Sequence, residues 1–146
     1  MQKVAFVKVR EWAKEPTYGS AGAAGADLCA CLNTNRIEIA PGETVMVPTG
    51  IAVAIPEGLV GLIAARSGIS VKRGLAPANK IGVIDCDYRG ELLVALYNQS
   101  GKVQTVENGE RIAQLLLMPY ITADFAETEQ LDETVRGICG FGSTGK

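Results

Sequence analysis

Short apolar runs rich in Val, Ile and Leu recur along the chain, and Gly, Pro or Asn residues separate them. Ten of these runs predict β-strands, at residues 4–9, 27–32, 36–39, 44–47, 51–55, 59–64, 81–84, 92–97, 102–106 and 111–118. Many short strands at this spacing are typical of an antiparallel sandwich or jelly roll, not of a fold that alternates strands with helices. The pattern therefore predicts an all-β fold.

The segments between and beyond these strands also carry signals. Turns are predicted at residues 41–43, 56–58, 98–101 and 108–109. Residues 67–72 predict one short helical turn. Beyond Pro119, residues 122–135 are acidic and offer little to a core, so we expect an arm that crosses the surface.

Size and composition narrow the class of protein. A chain of 146 residues buries one core but not two, and its 47% hydrophobic content with 17 Gly fits a single compact β domain. A formal charge of −2 gives no reason to expect nonspecific nucleic-acid binding. No stretch approaches the length of a membrane span, and no signal peptide follows Met1. We expect a cytosolic protein.

Cysteine and histidine usage limits the chemistry. The chain has no histidine, and its four cysteines form no CxxC pair, so zinc ligation is not expected. Cys29 and Cys31 alternate along a predicted strand and are expected to be small buried apolar groups. A cytosolic location also disfavours disulfides.

The most informative segment is residues 84–91, which places two carboxylates, a phenol ring and a guanidinium on one short turn. Without histidine, a general base has to be a carboxylate, a lysine or a thiolate. Asp85 is the first candidate, because it follows the apolar run 81–84 and is expected at the rim of a buried strand. The alternative is a hairpin turn whose carboxylates only accept backbone hydrogen bonds.

The last eleven residues, 136–146, are dense in glycine. Glycines let successive backbone amides converge on an anion, and Arg136, Ser143 and Thr144 add donors suited to phosphate. No helix follows within the chain, which argues against a nucleotide P-loop. The prediction is a mobile tail that orders over a polyphosphate with Phe141 as a lid; the alternative is a frayed terminus.

Three further segments carry candidate ligands. Arg66, Ser67 and Gly68 precede or begin the predicted helical turn, where they are suited to an anion. Gln114 lies on an otherwise apolar strand, so its amide is expected to have a polar partner such as water. A loop of small residues, 19–28, contains the acid Asp27, although a flexible connection has the same composition.

Together and in this order, the five segments resemble the five motifs of the trimeric dUTP diphosphatase (dUTPase) family. The resemblance spans residues 16–146, and its most specific parts are GVIDCDYRGE, GERIAQL and RGICGFGSTG. It implies a distorted β jelly-roll domain over residues 1–135 with one short helix, and a mobile phosphate-binding tail over residues 136–146. It also implies a homotrimer in which the C-terminal arm crosses to a neighbour and each active site takes residues from all three chains.

The resemblance assigns roles around the nucleoside. Asp85 orients and deprotonates the water that attacks the α-phosphorus of dUTP, which yields dUMP and pyrophosphate. Gln114 helps to hold that water, and the Tyr88 ring lies beneath the deoxyribose, where it rejects a ribose 2′-hydroxyl. Uracil is read by the amide of Asn79 together with the backbone of Gly82, Val83 and Ile84. Such an activity keeps uracil out of DNA and supplies dUMP for dTMP synthesis.

The resemblance also assigns the phosphate contacts. The α- and β-phosphates contact Arg66, Ser67 and Gly68. The γ-phosphate is held by the tail of another protomer, through Arg136, Gly142, Ser143 and Thr144, while Phe141 stacks on uracil. Mg²⁺ rides on the triphosphate with water in its remaining positions, and Asp27 is an outer-shell partner of the metal through water.

The sequence departs from the family pattern at two positions. Cys139 stands where the first of two adjacent glycines is usual, and Ala26 stands where an aromatic residue or Leu usually precedes the acid. Cys139 restricts the backbone of the tail, so slower closure is expected, but neither change removes a donor or the base. Two alternatives stay open: the related dCTP deaminase, and a regulatory module whose nucleotide occupancy gates a protein partner.

Overall fold

The computed structural model describes residues 3–140, which form twelve β-strands and one short α-helix. In chain order they are β1 (Ala5–Lys8), β2 (Thr17–Tyr18), β3 (Ala26–Cys29), β4 (Arg36–Ile39), β5 (Thr44–Pro48), β6 (Ile51–Ala54), β7 (Leu59–Ala64), α1 (Ser67–Arg73), β8 (Leu75–Pro77), β9 (Ile81–Ile84), β10 (Leu93–Asn98), β11 (Gln104–Glu107) and β12 (Arg111–Pro119). The prediction of an all-β jelly roll with one short helix is confirmed.

The strands pair into four antiparallel sheets. The largest has five strands in the order β2-β3-β12-β7-β9, and a second has three in the order β5-β10-β8. The remaining four strands of the described residues form two two-stranded ribbons, β1-β6 and β11-β4. β9 stands at the edge of the large sheet, so one side of its backbone is left without a strand partner in this sheet.

All ten predicted strands are present, and two more were missed. β2 has two residues and pairs with β3, while β8 has three, one of them Pro77, and pairs with β10. Both are too short to show a period of alternating side chains, and both exist because a longer neighbour supplies their hydrogen bonds.

The core lies between the sheets, and β12 contributes to it directly. Ile112 and Ala113 are fully buried within the single chain, and Leu115 nearly so, because β12 is hydrogen-bonded to β3 on one side and β7 on the other.

The buried cysteines behave as predicted. Cys29 and Cys31 are buried and unpaired, and burial raises the pKa of both thiols. Charged thiolates are disfavoured there because the surroundings cannot solvate them.

Helix α1 is fixed at its C-terminal end. It is capped by Gly74, whose φ of 70° lies in the left-handed region, and a Cβ there would come within 3.0 Å of Ser100. Arg73, the last helical residue, donates to the Glu110 carboxylate and the Thr105 carbonyl. The helix is thereby tied to the turn that leads into β12.

The segment after β12 gives nothing to the core, as its composition predicted. Residues 120–140 are exposed throughout, and the hydrogen bonds described beyond residue 122 are local. Its apolar side chains include Phe125 at 94% and Leu131 at 87% exposure. Within residues 3–140, no helix combines the length and the apolar character needed to cross a membrane.

Candidate active site

Asp85 and Tyr88 lie on the loop that follows β9 and line a cavity of about 300 Å³. The loop is closed by a hydrogen bond from the Tyr88 amide to the Asp85 carbonyl, 3.2 Å long. The guanidinium of Arg89 donates to the carbonyls of Cys86 and Tyr88 at 2.6 and 2.9 Å. Asp85 is exposed in the single chain. Its position is therefore fixed by the hydrogen bonds of the turn and not by the partial burial that the sequence predicted.

A second cavity, of about 140 Å³, adjoins the first and shares Val83 and Ile84 with it. Asn79 and Gly82 line this second cavity, on the strand β9 and the turn before it. A Cβ on Gly82 would stand 3.2 Å from the Ile63 Cβ and 3.4 Å from the Asn79 Nδ2, so glycine leaves the amide its place. We call these two spaces the nucleoside cavity. Six residues predicted to surround the nucleoside line it: Asn79, Gly82, Val83, Ile84, Asp85 and Tyr88.

Sequence reasoning missed the apolar side chains that other strands contribute to this cavity. Met46 on β5 and Leu93 on β10 line both spaces, and each keeps roughly half its side chain exposed. The signal was an apolar residue on the outward face of an alternating strand. The register brings them close, because Met46 pairs with Ala95, two residues beyond Leu93.

A separate cavity of about 210 Å³ brings together five other predicted residues. They are Asp27, Arg66, Ser67, Gly68 and Gln114. Gly19 and Gly25 of the small-residue loop also line it. Because its donors are suited to an anion, we call it the phosphate cavity.

Asp27 is buried between two arginines in this cavity. Its Oδ1 accepts from Arg66 Nε at 2.6 Å and its Oδ2 from Arg111 Nη1 at 3.2 Å. This pairing fixes the direction of the Arg66 guanidinium, a role the sequence did not reveal. Arg111 was also missed; its only signal was a basic residue three positions before Gln114.

No dedicated metal cage is present among residues 3–140, since they contain no group of three or more acidic or cysteine side chains placed to hold an ion. Each Asp27 oxygen accepts one hydrogen bond here and keeps a further lone pair for a water molecule. The donor set is compatible with Mg²⁺ carried by a ligand, which Asp27 would contact only through water.

Gln114 has the polar partner that its apolar strand required. Its Nε2 donates to the Ala65 carbonyl at 2.9 Å, so the partner is backbone and not water alone. Its backbone lies opposite Asp27 on β3 and Ala64 on β7. Gly25 packs against the amide so closely that a Cβ there would come within 2.5 Å of Oε1.

The structure does not bring Asp85 and Gln114 together within one chain. Gln114 pairs with Ala64, which pairs with Ile81, and Asp85 lies four residues beyond Ile81. Two strand spacings across and four residues along place the two Cα atoms about 16 Å apart. That distance exceeds what both side chains and one bridging water can span.

The tail residues fall partly outside the described chain. Arg136 is exposed, and its Nε donates to the Cys139 carbonyl at 3.2 Å, with no described contact to either cavity. Phe141, Gly142, Ser143 and Thr144 lie outside the described residues. Their predicted contacts stay predictions.

Comparison with known proteins decides the family. A family model for dUTPase matches residues 11–145. The chain belongs to the dUTPase family. It is therefore an enzyme of the nucleotide hydrolase class, as its five motifs predicted, and the dCTP deaminase alternative gains no support.

Relatives of this dUTPase are similar over nearly their whole length. The deoxyuridine 5′-triphosphate nucleotidohydrolase of Desulfitobacterium hafniense is 49% identical over 144 residues, covering 98% of this chain and 95% of the relative. The dUTPase of Staphylococcus bacteriophage 80alpha, solved with dUpNHpp, is 28% identical with a TM-score of 0.90 and 100% coverage of both chains. A mutant dUTPase from phage phi11 of S. aureus, which coordinates a structural Mg(II) ion, is 25% identical with a TM-score of 0.78, covering 88% of this chain and 98% of that one.

Proposed function

We propose that this dUTPase converts dUTP to dUMP and pyrophosphate, and that Asp85 orients and deprotonates the attacking water. The observation that carries the proposal is the position of Asp85, which is exposed at the nucleoside cavity beside Tyr88. A carboxylate held there by the turn is directed at the sugar end of a bound nucleotide, where the α-phosphorus begins. With no histidine in the chain, a carboxylate is the simplest base.

In this proposal, the backbone of β9 and the side chain of Asn79 recognise uracil. Because β9 is an edge strand, the backbone groups of residues 82–84 on its free side are available to a pyrimidine edge. The amide of Asn79 beside Gly82 adds a donor and an acceptor. We infer that this smaller cavity, of about 140 Å³, rejects the methyl group of thymine.

Sugar recognition falls to Tyr88. Its ring packs over Gly90, where a Cβ would come within 2.5 Å of the ring Cζ. A flat ring fixed in this way supports the deoxyribose and clashes with a ribose 2′-hydroxyl. We infer that dUTP is preferred over UTP on steric grounds.

The phosphate cavity serves the α- and β-phosphates, through Arg66, Ser67 and Gly68. Asp27 directs Arg66, and the exposed part of Arg111 adds a second guanidinium at the same wall. Bound Mg²⁺ would neutralise phosphate charge, with the substrate oxygens and water as its main ligands and Asp27 in the outer shell. The structural Mg(II) ion is a feature of the phi11 dUTPase, so the outer-shell role of Asp27 in this chain stays a prediction.

We further infer that each site is shared between chains of a homotrimer. The separation of about 16 Å between the Cα atoms of Asp85 and Gln114 within one chain supports this, because it is too long for both side chains to hold one water. The fully exposed apolar residues of the arm, such as Phe125 and Leu131, support burial against a neighbour. We propose that the jelly-roll domain spans residues 1–135 and that the tail, residues 136–146, closes over the γ-phosphate. We also propose a cytosolic location.

Substitution of Asp85→Asn tests the base. Turnover of dUTP should fall by about 10² to 10⁴, with KM little changed, because the shape of the cavity is kept and the base is lost. Asp87→Asn, two residues along the same exposed turn, is the matched control and should retain turnover. Pyrophosphate release from dUTP, dTTP, dCTP and UTP measures both rate and specificity. Normal turnover by Asp85→Asn would refute the mechanism.

Mixing two inactive variants tests the shared site. If Asp85 and Gln114 of one site come from different chains, co-assembled Asp85→Asn and Gln114→Ala chains regain intact sites in about one quarter of random pairings. If both residues came from the same chain, the mixture would stay as inactive as its components. Light scattering on the same samples reports the oligomeric state.

A further inference from the structure

The loop that carries Asp85 and Tyr88 ends at Glu91, the last residue of the GVIDCDYRGE segment, which forms a partly buried ion pair with Arg10. Glu91 Oε1 accepts from Arg10 Nε at 2.7 Å, and Glu91 Oε2 accepts from Arg10 Nη2 at 3.1 Å. The two side chains are only 19% and 33% exposed. Arg10 is 81 residues away in sequence, so the pair ties the N-terminal segment to this loop.

A third hydrogen bond links the Glu91 carboxylate to another segment of the chain. The Gly50 amide donates to Glu91 Oε1 at 2.7 Å. Gly50 has a φ of 70°, and a Cβ there would come within 2.6 Å of Ala13 and 3.0 Å of Cys31, so the segments meet tightly at this point. The hydrogen bond from Arg10 lowers the pKa of Glu91, with a smaller contribution from the Gly50 amide, so the carboxylate is held in its charged form.

The backbone beside Glu91 is fixed as well. Leu92 is fully buried, its amide donates to the Ile51 carbonyl at 2.7 Å, and its carbonyl accepts from Thr49 Oγ1 at 2.7 Å. Side chain and backbone therefore anchor positions 91 and 92 from several directions. The loop between β9 and β10 has a rigid exit.

Tyr88 rests on this exit. Its hydroxyl donates to the Glu91 carbonyl at 3.1 Å, and its ring lies over Gly90. Movement of the Glu91 backbone would shift the acceptor of the Tyr88 hydroxyl and the surface beneath its ring. The chain of contacts runs from Arg10 and Gly50, through Glu91, to the ring proposed to contact the deoxyribose.

We propose that Glu91 is a positioning residue for Tyr88, and that the Arg10–Glu91 pair thereby sets discrimination between deoxyribose and ribose substrates. The inference rests on the proposed function for the role of Tyr88 toward the sugar. Glu91 also lines the nucleoside cavity, but its carboxylate is occupied by Arg10 and the Gly50 amide, so we assign it no contact with substrate. It acts by keeping the ring at the height that admits dUTP and rejects UTP.

Substitution of Glu91→Gln tests this, because it keeps the size of the side chain and removes the charge that holds Arg10. We expect the ratio of kcat/KM for dUTP to that for UTP to fall about tenfold, with KM for dUTP rising more than kcat falls. Glu38→Gln is the matched control, since Glu38 forms an exposed pair with Arg36 and is 62% exposed. Arg10→Lys, which keeps charge but loses the two-pronged contact, should give an intermediate ratio.

A second readout separates positioning from folding and from the proposed function. In chains labelled with ¹³C at tyrosine rings, the Tyr88 resonance, identified by its loss in Tyr88→Phe, should shift in Glu91→Gln and stay in place in Glu38→Gln. An unchanged selectivity ratio and resonance in a folded Glu91→Gln or Arg10→Lys protein would overturn the inference. Failure of the wild-type protein to hydrolyse dUTP would instead overturn the proposed function, and the resonance alone would then decide whether Glu91 positions the ring.

Discussion

Gly25 and Gln114 allow a sharp test of the phosphate cavity. A Cβ on Gly25 would stand 2.5 Å from Gln114 Oε1 and 3.1 Å from both Cβ and Cδ of the same side chain. Ordinary contact begins near 3.4 Å, so in Gly25→Ala the amide has to retreat by about 1 Å. The Gln114 Cβ is fixed to the backbone of a central strand, so the retreat occurs mainly by rotation of the amide away from Ala65.

Two effects of Gly25→Ala follow from this geometry. Loss of the hydrogen bond from Gln114 to the Ala65 carbonyl costs about 1 kcal/mol, which lowers Tm by about 2 to 4 °C for a domain of this size. Gln114 is proposed to hold the attacking water, so its displacement by about 1 Å should lower turnover by about tenfold to 10²-fold. Both follow from one added methyl group that carries no charge.

Gly22→Ala is the matched control. Gly22 lies in the same loop, and a Cβ there would meet no atom within 4 Å. Neither glycine has a positive φ, so alanine is tolerated by the backbone at both positions. Pyrophosphate release at saturating dUTP and thermal melts should separate the two variants. A Gly25→Ala enzyme with turnover within about twofold of wild type would refute the packing argument.

Two further predictions concern stability. Asn98 is fully buried, and its side-chain amide donates to the carbonyls of Ile39 and Lys102 at 2.8 and 2.9 Å. Asn98→Ala should therefore lower the free energy of unfolding by about 2 to 4 kcal/mol, which a thermal melt would show as a lower Tm. An unchanged Tm would contradict this. The Arg10 hydrogen bond lowers the pKa of Glu91 in the folded chain, so the pair stabilises fully above the ordinary Glu pKa and loses that contribution as pH falls through the lowered value. The Tm difference between wild type and Glu91→Gln should therefore shrink in acid, and growth of that difference would contradict the assignment.

Strand positions followed closely from local sequence. The runs 59–64 and 81–84 were predicted with their observed bounds, because apolar β-branched residues end abruptly at turn residues on both sides. The acidic segment after Pro119 was predicted to stay out of the core, and it does. In each case the decisive information lies within a few residues of the element, which is the range over which turn chemistry and side-chain alternation act.

Contacts between distant segments were not predictable in the same way. Asp27 was assigned from its motif to an outer-shell metal role, yet it pairs with Arg66, 39 residues away, and Arg111, 84 residues away. Glu91 gave no sign of its partner Arg10. Such pairs depend on which strands become neighbours, and a single sequence does not display strand order.

By itself, the sequence determined the strand-rich class of the fold, the identities of the candidate chemical groups and the family to which they belong. Only the tertiary structure decided that these groups divide between a nucleoside cavity and a phosphate cavity, with the Cα atoms of Asp85 and Gln114 about 16 Å apart in one chain. The physical reason is that residue type and local alternation are encoded over short stretches, whereas the distance from Asp85 to Gln114 is set by the pairing of β12, β7 and β9. That pairing is a property of the folded sheet.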